Sequence, residues 1–296
     1  HIYRMIKSLL IFLLVLEAND CQSQDYQSEI GKAEHAYDKK QYDSCSFYFS
    51  NAFKIKNPNG SDLYHSAACN ILNGNASTAL KLLKKAIIKP IEVSKLKIDP
   101  DFDEMHALRK WKKLIKKADR IQSDSFKKYQ YPQFAAQLAT LWEKDQYYRF
   151  RLARAYDNND TISANEIWRA MRKSDSANLL EFESVTDKIG WPTVSKVGQA
   201  GASTAFLIID HSPREVMEQY FPLLEEAARK GEASLSSYAT MKDRILVNRG
   251  KKQIYGTQKY WDQQQGKFVY FPIEDEKSVN SKRKEVGLAP LSEFEE

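Results

Sequence analysis

An internal repeat constrains this chain more than any other feature. Residues 26–89 repeat with a period of 34. Ala33, Tyr42, Cys45, Phe49 and Ala52 of the first copy return as Ala67, Ala76, Ala79, Leu83 and Ala86 of the second. A unit of that length cannot bury its apolar face alone, so successive copies must stack. Small residues recur where paired helices must come close, and a large apolar residue recurs between them. Pro58 and Pro90 close the two units, because proline cannot continue a helix interior. Asn73-Gly74 turns the second hairpin. Two units are few for a solenoid, so a further helix is expected over the open end. Asp101-Phe102-Asp103-Glu104 has the D-x-x-E form of a capping box. Met105, Leu108, Trp111, Leu114 and Ile115 follow it at helical spacing.

The spacing of small and large residues resembles the tetratricopeptide repeat. That resemblance implies helical hairpins over residues 24–127 and a surface for a protein or peptide partner. The chain carries a formal charge of +6, and the whole surplus falls in residues 24–127. Part of it is RKWKKLIKK, residues 109–117, with six positive charges in nine positions. Two readings stay open for that run: a basic surface making peripheral contact with anionic lipid or an acidic partner, and the solvated outer face of a capping helix. A basic isoelectric point alone does not make a nucleic-acid reader, and no nucleic-acid motif accompanies it. No nucleic-acid partner is expected.

The N-terminus predicts export. Arg4 and Lys7 precede the apolar run Ser8–Leu16, which is too short to span a bilayer comfortably and fits the h-region of a signal peptide. Cleavage after Ser23 puts Cys21 and Ser23 at the small-residue positions, and cleavage after Ala18 is the alternative. A lipid anchor on Cys21 is the weaker reading, because Asn19 and Asp20 are poor neighbours for it. With residues 1–23 removed, no later segment is long and apolar enough to span a membrane. The mature protein is then secreted or periplasmic. It keeps two cysteines, Cys45 and Cys69, which form one disulfide or stay as buried thiols.

Residues 128–296 hold the polar oddities. A helix from Pro132 carries Phe134, Leu138, Leu141, Trp142, Tyr148 and Leu152 on one face, and Asp145 and Arg149 fall on the same stripe at i, i+4. They form a buried structural pair or the wall of a ligand pocket. A second helix covers roughly 163–188. After Gly190-Trp191-Pro192, small residues at helical spacing favour a helix through Ile209 over a strand at 205–209. Ser212-Pro213-Arg214-Glu215 reads as a helix start with Ser212 as N-cap. His211 then lies at a helix junction, as general base, ligand donor or partner of an orphan carbonyl. QIYGTQKYW (253–261) and KFVYFPI (267–273) predict a β-hairpin with a five-residue loop, and Gly256 within the first strand suggests a bulge or a close backbone approach. The fold class is therefore mainly α: tetratricopeptide-like hairpins, then a helical domain with a small C-terminal β-hairpin.

DQYYR (145–149), GWPTVSKVGQAGASTAFLIIDHS (190–212), DR (243–244), QIYGTQ (253–258) and RKEVGLAPL (283–291) together resemble the bacterial domain-of-unknown-function family 6624, over roughly 130–296. The resemblance implies that Asp145, Arg149, His211, Asp243, Arg244, Gln253, Tyr255, Gly256 and Gln258 belong to one site or one structural network. It implies no reaction. Two functions compete. One is an exported binding protein with a polar ligand cleft in its second domain. Arg149, Arg244, Gln253, Tyr255, Gly256 and Gln258 are its ligand-binding candidates. The other is a hydrolase of peptide or cell-envelope material, with His211 as general base and Asp145 or Asp243 orienting it. No G-x-S-x-G, H-x-x-x-H or H-E-x-x-H is present, so neither a nucleophile elbow nor a metal site is expected. No cofactor is expected either.

Overall fold

The repeat positions are where the N-terminal part hides its core. Ala33, Cys45, Phe49, Ala52, Ala67, Ala79, Leu83 and Ala86 are each at most 1% exposed. Tyr42 and Ala76 are half-buried. The computed structural model describes residues 23–88 and 93–292. The expected leader therefore lies outside the described residues apart from Ser23, as does Pro90. The ten repeat positions fall on four successive helices: α1 (23–38), α2 (Tyr42–Ile55), α3 (Gly60–Leu72) and α4 (Ala76–Ala86). Small residues at their crossings let α2 pack on α3 and α3 on α4. A disulfide, Cys45–Cys69, ties α2 to α3 with its Cα atoms 5.9 Å apart. Buried tyrosine hydroxyls find aspartates across the sequence: Tyr26 donates to Asp62 and Tyr64 to Asp99. Burial pushes both phenols well above the ordinary tyrosine range.

The chain continues through α5 (Val93–Ile98), a 3-10 turn (Pro100–Met105) and α6 (Arg109–Phe126). The capping box expected at Asp101 is absent. Asp99 is the cap instead, accepting from Asp101 N at 3.0 Å, and its turn stops at Met105. The following helix starts four residues later. Phe102, Met105, Trp111, Leu114 and Ala118 still close over Tyr64, Ala67 and Leu83, in one buried cluster. The six basic residues of 109–117 all stay exposed on the far side of α6.

The chain divides into two compact units after Gln122. The second holds α7 (Pro132–Asp157), α8 (Thr161–Ile189), α9 (Val194–Asp210), α10 (Arg214–Arg229) and α11 (Leu235–Asn248). Leu138, Leu141, Phe182, Ile209, Leu224 and Met241 form its fully buried centre. The 205–209 run is helical. α9 is broken at Gly198, whose φ is +80°. A Cβ there would sit 2.2 Å from the Tyr129 ring, so both conformation and packing demand glycine. The junction to α10 differs from expectation. Pro213, not Ser212, precedes the first helical residue, and no side chain caps the helix. The Ser212 hydroxyl donates backwards to Ile208 O at 2.7 Å, serving the end of α9.

Two short antiparallel strands follow, β1 (Lys259–Asp262) and β2 (Lys267–Tyr270), with Lys259 opposite Tyr270 and Asp262 opposite Lys267. The hairpin exists, but residues 253–258 are not part of its first strand. They form an arch, joined to the second arm by a parallel bridge between Gln253 and Ile273 and by single hydrogen bonds to Phe271. Gly256 is a left-handed turn residue (φ +64°) rather than a strand bulge. Its Cα is closed in by Leu291, Ile273 and Val279. A last helix, α12 (Val279–Glu285), seals the arch. No helix among the described residues is long and apolar enough to cross a membrane.

Candidate functional site

The apolar stripe of α7 brings Asp145 into the interior, where it is 1% exposed. A buried carboxylate must be paired and hydrogen-bonded. Three side chains meet it. His211 Nδ1 lies 3.0 Å from Oδ1, Arg149 Nη1 lies 3.2 Å from Oδ1, and Gln146 Nε2 donates to Oδ2 at 2.7 Å. A carboxylate only accepts, so the Asp145 contact selects the Nδ1–H form of the ring. In the neutral imidazole, Nε2 then carries the lone pair. No hydrogen bond to Nε2 occurs among the described residues. Arg149 is held from its other side by a two-pronged bond to Asp175 on α8, at 3.0 and 3.1 Å. This fork-on-fork geometry fixes the guanidinium plane.

The residue before His211 forms a second pair. Asp210 Oδ2 meets Arg244 Nη1 at 2.8 Å, and the same Nη1 donates to Asp210 O at 2.8 Å. Arg244 Nε donates to Gln258 Oε1 at 3.3 Å. Asp210 is 6% exposed, and its other oxygen, Oδ1, has no partner. Burial pushes the Asp210 carboxyl above the ordinary aspartate range, and the neighbouring Arg244 and His211 charges oppose that shift.

His211, Asp210, Arg149 and Arg244 line one cleft of about 1010 Å³, set among α7, α8, α11 and the α9–α10 junction. Its walls are largely apolar. Trp168, at 47% exposed, and Leu180, at 69%, contribute to it along with Tyr156 and Met171. A concave, mostly apolar site with a few convergent polar groups is the usual form of a small-ligand pocket.

The remaining sequence candidates build the arch. Asp243 is fully buried and accepts from Ile254 N (2.7 Å), Tyr255 N (3.1 Å), Thr257 N (3.1 Å) and Thr257 Oγ1 (3.0 Å). Its carboxylate thus holds the loop that follows it. Gln253, also fully buried, donates to Gln258 O and Phe271 O and accepts from Gln258 N. Arg283 donates to Tyr255 O at 2.7 Å and Gly256 O at 3.3 Å. Asp243, Gln253, Tyr255, Gly256 and Gln258 are not among the cleft-lining residues. Gln258 reaches the cleft indirectly, through Arg244. Sequence reasoning passed over Asp175, Asp210 and Arg172, which do line it. Asp210 carried a readable signal, an acid directly closing an apolar run. Asp175 and Arg172 lie in the polar stretch RKSDS and carried none.

Fold and site together define a helical domain with an open cleft over a histidine–aspartate pair and a buried carboxylate–guanidinium pair. Residues 132–296 match the model of a family of unknown function, DUF6624, and the chain belongs to that family. No curated protein and no solved structure is significantly similar to it.

Proposed function

We propose that this is an exported protein whose C-terminal domain holds a small ligand in the cleft over His211 and Asp210. Its N-terminal helical hairpins, tetratricopeptide-like in spacing, would dock a protein or peptide partner. The cleft carries the reading: it combines exposed aromatic wall, a histidine with a free ring nitrogen and a buried carboxylate oxygen that nothing satisfies. Unsatisfied buried polar atoms are rare enough in native proteins to require a reason. The Cys45–Cys69 disulfide supports export, because such bonds persist in oxidising compartments. Native mass spectrometry of the full chain tests the cleft. Small molecules that co-purify should be lost in Ala153→Trp, which puts a bulky ring on an exposed lining position. Retention of the same molecules by the variant would refute the reading.

One observation favours a second reading, a hydrolase. The Asp145–His211 contact orients Nε2 as a general base must be oriented. In that case His211→Ala abolishes turnover of a peptide substrate while the cleft still binds it. Undiminished turnover by the variant would rule this chemistry out.

A further inference from the structure

The cleft's charges balance in sum, three guanidiniums against three carboxylates, but not every charged atom has a partner, and the unpartnered ones describe a ligand. Arg149 is spent on Asp145 and Asp175, and Arg244 on Asp210. Two groups are left over. Arg172 lines the cleft from α8 and its guanidinium has no partner among the described residues. Asp210 presents a carboxylate whose Oδ1 is buried and unbonded. The first is exposed and open to an anion; the second calls for a hydrogen-bond donor, best a cationic one, because burial opposes the charge on Asp210.

The wall adds length and polarity. Trp168 and Arg172 are one turn apart on the same face of α8. From Trp168 to Leu180 that helix runs about 18 Å at 1.5 Å per residue. An extended chain of about five residues covers that distance. Exposed Trp168 and Leu180 at its two ends suit apolar side chains.

We propose that the cleft binds a short apolar peptide with free termini, its ammonium group donating to Asp210 Oδ1 and its carboxylate pairing with Arg172. The proposal rests on the cleft being the ligand site and names the ligand class. Free carboxylate and free amine are both needed, so a peptide released by proteolysis fits and an internal segment of a folded protein does not.

Calorimetry of the full chain with the pentapeptide Leu-Ala-Phe-Ala-Leu and its N-acetyl, C-amide and doubly capped forms tests this. Acetylation should weaken binding tenfold or more, and Asp210→Asn should erase the difference between acetylated and free peptide. Amidation should weaken binding less, by up to about fivefold, because Arg172 is exposed, and Arg172→Gln should erase that difference. Because the capped peptides probe the unaltered protein, the result does not depend on how the Asp210 variant folds. Equal binding of free and doubly capped peptide overturns the assignment of the termini and leaves the cleft as a ligand site. Binding of none of the four overturns the peptide assignment, while the mass-spectrometric comparison with Ala153→Trp reports separately on the cleft.

Discussion

Replacing Asp243 by asparagine changes one atom's chemistry and almost no volume, so cavity formation does not enter the result. In the native domain one carboxylate takes three backbone N–H groups and one hydroxyl from the arch. The amide keeps one acceptor oxygen, which Ile254 N and Tyr255 N can share. Its NH₂ then faces Thr257 N, a donor against a donor, while the Thr257 hydroxyl can reverse and accept. Hydrogen bonds to a charged group contribute about 1.5–3 kcal/mol each, against about 0.5–1.5 for neutral ones, and an orphaned buried donor costs about 1–3. Two weakened bonds and one orphan sum to about 3–6 kcal/mol. That is a large share of a domain's usual stability of about 5–15 kcal/mol. Urea unfolding followed by circular dichroism measures the loss. Hydrogen exchange should localise it to the amides of Ile254, Tyr255 and Thr257. A cost under about 1 kcal/mol, with those amides still protected, would refute the claim that the carboxylate fastens the arch.

Three further outcomes follow from the same structure. Cys45→Ser with Cys69→Ser opens a cross-link between residues 24 apart in sequence, which should destabilise the N-terminal unit by about 3 kcal/mol; reducing agent should shift the urea midpoint of the native protein and not that of the variant. Gly256→Ala should cost more than about 2 kcal/mol, because its Cβ meets Leu291 Cδ1 at 2.8 Å on top of a φ of +64°, whereas Gly266→Ala, at φ +62° with nothing near it, should cost only about 1; equal losses in thermal unfolding would show that packing plays no part. Burial, then Lys95, holds the His65 imidazole below its ordinary range. The unfolded chain therefore takes up the proton first, so the stability given by the neutral ring is present above about pH 6.5 and is lost as pH falls from there towards the folded value. His65→Asn should flatten that part of the stability–pH curve relative to the native protein, and an unchanged slope in urea titrations would contradict it.

The helices were legible because burial in an all-helical unit imposes a 3.6-residue period on the sequence itself. The matched burial of Ala33 and Ala67, or of Phe49 and Leu83, 34 residues apart, shows the repeat laid over that period. Errors arose where a side chain substitutes for backbone. Residues 253–258 have strand composition, but the amides of Ile254, Tyr255 and Thr257 go to the Asp243 carboxylate and not to a neighbouring strand, a fact local pattern does not contain. Ser212 carries every mark of an N-cap, yet two helix ends compete for its hydroxyl and the earlier one holds it. Asp99 displaced the capping box at Asp101 in the same way. The polar candidates were found because charges on apolar stripes stand out, as Asp145 and Arg149 did. Which of them share a cleft could not be read, since Asp243 and Arg244 are adjacent in sequence and serve different structures. Arg172 and Asp175 belong to a stretch where charge is unremarkable, and nothing in the sequence sets Trp168 and Leu180 apart from the buried apolar residues of the same helix, although both are exposed cleft wall.

The order in which these contacts become available differs between the two units. In the N-terminal unit α2 packs on α3 and α3 on α4, so that part of its core forms as soon as the neighbour has been made, the low-contact-order regime that folds quickly. The cleft has no such local route. His211 waits on Asp145 across 66 residues, and the guanidinium that meets Asp210 comes from 34 residues further on. The arch beside that guanidinium is latched by Arg283, whose own carbonyl partner is Ala289. A chain emerging from its N-terminus therefore completes its repeats early, assembles the cleft only once residue 248 has appeared, and leaves the arch unlatched until nearly its last residues. A C-terminal truncation at residue 282 should thus spare the first unit's disulfide and helices while exposing the Asp243 arch to proteolysis.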